Sequence, residues 1–278
     1  MEQKYLETAY EQLDISNFFV FGKVMENPEL CKEMLERLTG ETVDDINEIS
    51  IEKTIKVSSD GKGVRYDVFL DDGYRMYDTE MENRMYKRRE LPKRSRFYQS
   101  MLDMKDLEQG CSFSELKDNY VIFICTFDPF DKGKAFYGFS NQSKDDNHFE
   151  LGDGRTIIYF NTKGDMENIT PDIASFLRYV ETGVVQDDYT RKLKMAVDNV
   201  RHNRKDRSEY MFWKQRFLED MHDAYDNGYG NGYDNGYDNG HKKTIIELYR
   251  KEIITIEIAM SELNMTKEEI EKEMSETS

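Results

Sequence analysis

The chain has 278 residues, 38% of them hydrophobic and 13% aromatic, which suits one sizeable α/β domain with an appendage or two small domains and excludes wholesale disorder. Its formal net charge of −17 argues against a surface with general affinity for nucleic acid. Any DNA contact would therefore have to come from a local basic patch. Cys31, Cys111 and Cys125 lie far apart with no CxxC spacing, which reads as reduced thiols in a cytoplasmic protein. The opening Met1-Glu2-Gln3-Lys4 lacks an apolar signal core, and the most apolar run, Tyr120 to Phe127, is too short to span a bilayer. A soluble protein with no membrane partner is expected.

Taken in chain order, Leu30, Met34, Leu35 and Leu38 recur at helical spacing before Thr39-Gly40, so a helix is expected over 27–38. Ile51 to Val57 reads as a strand, and Ser58 to Gly63 as a turn-rich loop. Val64 to Leu70 and Tyr74 to Asn83 are strand-like and joined through Asp71-Asp72-Gly73, a strong hairpin signal. A helix is expected to begin near Pro92 and run toward Asp106. Tyr120 to Phe127 is continuously apolar, as a strand covered on both faces would be. Arg155 to Asn161 supplies a further strand, and the chain looks helical from Thr170.

Ala224 to Gly240 is a low-complexity stretch repeating Gly-Tyr-Asp-Asn-like units with a period of four. Such a period can align small residues on one helix face, yet each interior glycine costs about 1 kcal/mol relative to alanine. A flexible or conditionally helical linker is expected. The anticipated organisation is a domain over 1–223, a linker over 224–240 and a charged helical tail over 241–278. That tail is a candidate surface for self-association.

The chemistry concentrates between Arg65 and Asn83. Alternate residues of a strand share a face, so Asp78, Glu80 and Glu82 lie together. Asp67 joins them if Asp72-Gly73 forms a two-residue loop, which sets Asp71 opposite Tyr74 and Asp67 opposite Asp78. A three-residue loop turns Asp67 away, and the Asp-Gly preference favours the first arrangement. Carboxylates facing one another repel, and a divalent cation such as Mg²⁺ or Mn²⁺ would neutralise them. The alternative is an ordinary hairpin with a wet, acidic outer face.

Directly afterwards come Arg84, Lys87, Arg88, Arg89, Lys93, Arg94 and Arg96 against the lone acid Glu90. This dense basic run can hold a phosphate backbone or pair with acidic neighbours. A second basic stretch, Arg191 to Arg207, reads slightly better as a solvated helix face. His148, His202, His222 and His241 are scattered and suggest no zinc site. No GxxxxGK[ST] phosphate loop is present.

These residues resemble those of the PD-(D/E)XK nucleases of the recombination-promoting nuclease and transposase family. Tyr66-Asp67-Val68 resembles the strand carrying its metal-binding Asp, and Tyr77 to Asn83 the strand containing Glu-x-Gln. Leu91 to Ser100 resembles the following helix, Tyr120 to Phe130 the next core strand, Asn161-Thr162-Lys163-Gly164 a later turn, and Phe21-Gly22-Lys23-Val24 the family's opening. Together they cover roughly residues 15 to 200 in the expected order.

The resemblance implies an α/β, restriction-endonuclease-like core, a mixed β-sheet flanked by helices, with a helical C-terminal extension. It implies Mg²⁺- or Mn²⁺-dependent DNA cleavage linked to recombination, with Asp67 and Glu80 as metal ligands and Asp67, Glu80 and Glu82 as catalytic residues. Arg84, Lys87, Arg88, Lys93, Arg94 and Arg96 would contact DNA. Glu82 stands where the superfamily has Lys and the family usually Gln, and an ionised carboxylate cannot donate as Lys does. Tyr66 replaces the superfamily's Pro. A degenerate copy that binds DNA or assembles without cutting is the rival expectation, and a protein-interaction module acting through the repeat and tail is a third.

Overall fold

The computed structural model describes residues 8–55, 64–83, 90–107, 110–146, 149–251 and 253–276. The expected loop at 58–63 lies outside them. The chain divides into two compact units, one ending at Met211 and the other starting at Phe212.

The first unit opens with α1 (Phe18–Met25) and α2 (Pro28–Thr39). Asn17 and Asn27 cap them, each side chain accepting two backbone N–H groups that the first helical turn leaves unpaired. Pro28 suits the first turn of α2, and Gly40 closes it in the left-handed conformation at φ 75°. There follow β1 (Glu48–Ile55), β2 (Val64–Asp71), β3 (Arg75–Glu82), α3 (Glu90–Asp106), β4 (Asp118–Cys125), β5 (Phe136–Phe139), β6 (Arg155–Asn161), α4 (Pro171–Thr182) and α5 (Asp188–His202). The next helix, α6 (Arg204–Arg250), leads into the second unit.

Six strands form one mixed sheet in the order β1-β2-β3-β4-β6-β5. The first three are antiparallel, β3, β4 and β6 are parallel, and β5 pairs antiparallel at the far edge. A parallel pair needs a crossover, and α3 supplies it between β3 and β4. Val121 to Cys125 in β4 are all buried, which explains their unbroken apolar run. On one face Val121, Phe123 and Cys125 join Leu91, Tyr98 and Leu102 of α3 in a common core.

The opposite face meets α1. Ile51 pairs with Val68, and Val68 with Thr79, so this row lies across the sheet from Asp78 and Glu80. A Cβ on Gly22 would stand 2.6 Å from Cγ2 of Ile51, so α1 can come this near only with glycine there. Neither α1 nor β5 was anticipated as an element. An interior glycine weakens the helical signal of the first, and four residues are too few for a period in the second. Tyr10 Oη donates to the Val200 carbonyl and Tyr189 Oη to that of Leu30, at 2.8 and 2.9 Å, tying the N-terminal segment to α5.

The basic stretch from Arg191 is matched by carboxylates. Arg191 pairs with Asp188, Lys192 with Glu33, Lys194 and Arg201 with Asp198, Lys205 with Glu209, and Arg207 with Glu11. It is a solvated, ion-paired face.

In the second unit the Gly/Tyr repeat, expected as a linker over 224–240, has helical backbone inside α6. Beyond it lie α7 (Ile256–Leu263) and α8 (Lys267–Glu276). Ile246, Ala259 and Ile270 are buried, and Lys242 pairs with Glu273 at 2.5 Å. Among the described residues no helix is long and apolar enough to cross a membrane. All three cysteines are unpaired thiols.

Candidate functional site

The site begins at the β2–β3 turn, and there the expected register requires correction. Asp71 faces Met76 rather than Tyr74, and Phe69 rather than Asp67 faces Asp78. The Asp72 N–H donates to the Arg75 carbonyl at 3.1 Å, which makes Gly73-Tyr74 the two-residue loop. Side chains explain the choice. Asp72 Oδ1 accepts from Tyr74 N and Arg75 N at 3.0 and 2.6 Å, while Asp71 Oδ1 accepts from Gly73 N at 2.8 Å. Gly73, at φ 90°, holds the first central position, where a type II′ turn takes glycine. Moving the turn by one residue shifts the pairing by two. The side-chain parity of the hairpin is therefore the same as in the expected two-residue arrangement.

Main-chain pairing of β2 with β3 ends at Val68 and Thr79. Beyond it, side chains bridge the strands. Asp67 N donates to Glu80 Oε1 at 3.0 Å, and Met81 N donates to Asp67 Oδ2 at 3.1 Å. The matching point of β1 is also irregular, for Glu52 adopts φ 51° and the β1–β2 pairing skips it. Asp67 and Glu80 are thus brought into direct contact at the end of a ladder. Glu80 and Glu82 follow alternately along β3, beside Phe123 and Cys125 of β4.

Helix α3 closes this face. Arg94 Nη1 donates to Glu82 Oε2 at 2.6 Å, Nη2 pairs with Glu80 Oε2, and Nε donates to Tyr98 Oη at 2.8 Å. Its guanidinium carbon lies 4.9 Å from the centre of the Tyr98 ring and 5.4 Å from that of Phe123. Arg94, assigned by sequence to DNA, therefore belongs to the acidic pocket. Lys93 and Arg96 are exposed on the same helix. Arg84, Lys87 and Arg88 lie outside the described residues.

Burial dominates the electrostatics. It pushes the Asp67 and Asp78 carboxyls well above the usual carboxylate range, and the nearby Glu80 charge pushes both further. Glu80 is also raised by burial, against the pull of Arg94. Asp78 is fully buried, and neither of its oxygens meets a donor. Only when protonated can it bond, by donating to Glu80.

That state makes a testable difference. A carboxyl with a raised folded value contributes its stability fully below its unfolded value, about 4, and loses it as pH rises through the folded value. An amide at position 78 donates to Glu80 at every pH. Asp78→Asn is expected to stabilise the fold by about 1 kcal/mol at pH 8 and negligibly at pH 4. Urea unfolding at the two pH values checks this. A gain that persists undiminished at pH 4 would contradict it.

Among the described residues no three His, Cys, Asp or Glu side chains are arranged to hold a metal ion. The expected convergence of three carboxylates on one cation is corrected accordingly. Asp67 and Glu80 touch, but backbone N–H groups and Arg94 engage Asp67 Oδ2 and both oxygens of Glu80. Sequence reasoning put Asp78 on this face without giving it a role, and missed Arg94 and Tyr98 as members of the pocket. The four-residue spacing of Arg94 and Tyr98, which puts both on one helix face, was the available signal.

The mixed sheet with helices on both faces, and an acidic pair at the splayed end of its hairpin, define a restriction-endonuclease-like α/β fold. A family model, the PD-(D/E)XK nuclease family transposase, matches residues 16–170, more than half of the chain. The chain belongs to that family, which supports a nuclease- and transposition-related role. No curated protein and no solved structure matches it.

Proposed function

We propose that the protein is a divalent-metal-dependent DNA endonuclease of the cytoplasm, hydrolysing phosphodiester bonds in recombination or transposition. One observation carries the proposal: three carboxyls, the buried Asp78 and Glu80 and the half-buried Asp67, gather at the end of the hairpin, where desolvation raises all three. Burying carboxylates without matching donors costs stability, and function is a common reason to retain them. Their hard oxygens, and the orphaned pair on Asp78 above all, fit Mg²⁺ or Mn²⁺ in chemistry.

Asp67 and Glu80 are the residues assigned to the ion. When bound, such an ion acidifies water and offsets charge on the phosphate. Asp67 and Glu80 would have to be ionised for this, so binding releases protons and strengthens as pH rises. Glu82 orients Arg94 through the 2.6 Å bond and is a candidate base. Exposed Lys93 and Arg96 are assigned to the DNA backbone, with Arg84, Lys87 and Arg88 as proposed extensions of that track.

Supercoiled plasmid is expected to be nicked with Mn²⁺ or Mg²⁺ and left intact in EDTA, with Asp67→Ala losing about a hundredfold or more of the rate. Undiminished nicking by that variant would sink the assignment. A second reading is favoured by Glu82 standing in place of a cation and by Arg94 holding both glutamates: a nuclease fold that binds DNA without cutting it. Salt-sensitive DNA binding with no cleavage in any divalent ion would select it.

A further inference from the structure

We infer that Arg94 holds the place of a cation in the acidic pocket and sets its affinity for a divalent ion, leaving Glu80 when the ion enters. This rests on the proposed function, since it concerns the same pocket. Both oxygens of Glu80 are engaged, Oε1 by the Asp67 N–H and Oε2 by Arg94. An ion that takes Oε2 must displace the guanidinium. The two groups are mutually exclusive there by geometry and by charge.

Three features make Arg94 the member that moves. Its side chain is 24% exposed, whereas that of Glu80 is 1% exposed, so only the arginine has a path to solvent. It has a second acidic anchor in Glu82, with Tyr98 Oη beside it, to which it remains tied after leaving Glu80. And the Arg94 guanidinium reaches Glu80 and Glu82 but not Asp78. Asp78, with no exposed surface, has two side-chain oxygens that meet no donor. A divalent ion would bring twice the charge and further coordination positions for oxygen. Strand β3 and the aromatic shelf of Tyr98 and Phe123 hold the competitors together, at 4.9 and 5.4 Å from the guanidinium carbon.

The test is calorimetric titration of the full-length protein with Mn²⁺ at pH 8, alongside Arg94→Met, Arg94→Lys and Asp67→Asn. Removing the competing charge in Arg94→Met is expected to tighten Mn²⁺ binding about tenfold or more, the factor that follows from about 1.4 kcal/mol. Arg94→Lys, which keeps the charge but loses the planar fork that spans two carboxylates, is expected to fall between it and the parent. It decides the matter should the methionine variant not fold. Asp67→Asn is expected to abolish the site. In the parent, Mg²⁺ should shift the Arg94 Nε–H resonance in ¹⁵N spectra. Equal or weaker Mn²⁺ binding by the folded Arg94 variants, with binding still dependent on Asp67, overturns this inference alone. No binding by the parent or any variant overturns it together with the metal-dependent reading of the pocket.

Discussion

Glu80→Gln is expected to lower Mn²⁺-supported plasmid nicking by about a hundredfold or more while leaving the protein folded. The substitution preserves shape and keeps an oxygen to accept the Asp67 N–H, which now bonds Oε1 at 3.0 Å. It removes the charge, and a neutral amide is a much weaker partner than a carboxylate for a hard cation. Stability should not fall, because Glu80 is the nearby charge that raises both Asp67 and Asp78. Relieving that crowding offsets the loss of the Arg94 pair, and Arg94 keeps Glu82. Thermal melts beside the nicking assay separate the two effects. Parental rates from a well-folded Glu80→Gln protein would remove Glu80 from the chemistry.

Phe123→Ala should cost about 3–5 kcal/mol of stability, a large share of the 5–15 kcal/mol typical of a domain. Phe123 has no exposed surface and sits in the central strand beside Glu80. Its ring stacks on Tyr159 at 5.3 Å and lies 6.3 Å from Tyr98. Truncation leaves a cavity that a sheet with partners on both sides cannot close by local collapse. The same ring supports the Arg94 guanidinium, so the acidic pocket should loosen as well. Urea unfolding measures the cost, and a loss below about 1 kcal/mol would mean that this strand is not the foundation of the site.

Much of the frame was readable along the chain. The caps and apolar spacing of α2, the hairpin signal between β2 and β3, the Pro92 start of α3 and the apolar run of β4 are local features, each set by neighbours a few residues apart. The alternation that puts Asp78, Glu80 and Glu82 on one side of β3 is equally local. The hairpin's register was not, because it depended on which backbone groups the Asp71 and Asp72 side chains would cap. The splaying of β2 from β3 was hidden as well, since it replaces main-chain pairing with the side chains of Asp67 and Glu80.

Arg94 shows the division most clearly. In the sequence it is one cation among seven in a basic run, indistinguishable from Lys93 or Arg96. The crossover from β3 through α3 to β4 turns it inward against two glutamates and an aromatic shelf, while its neighbours stay exposed. Composition and periodicity determined which residue types would be present, and on which side of a strand. Only packing over longer separations decided which charges would meet, because desolvation and ion pairing depend on distance in space rather than along the chain.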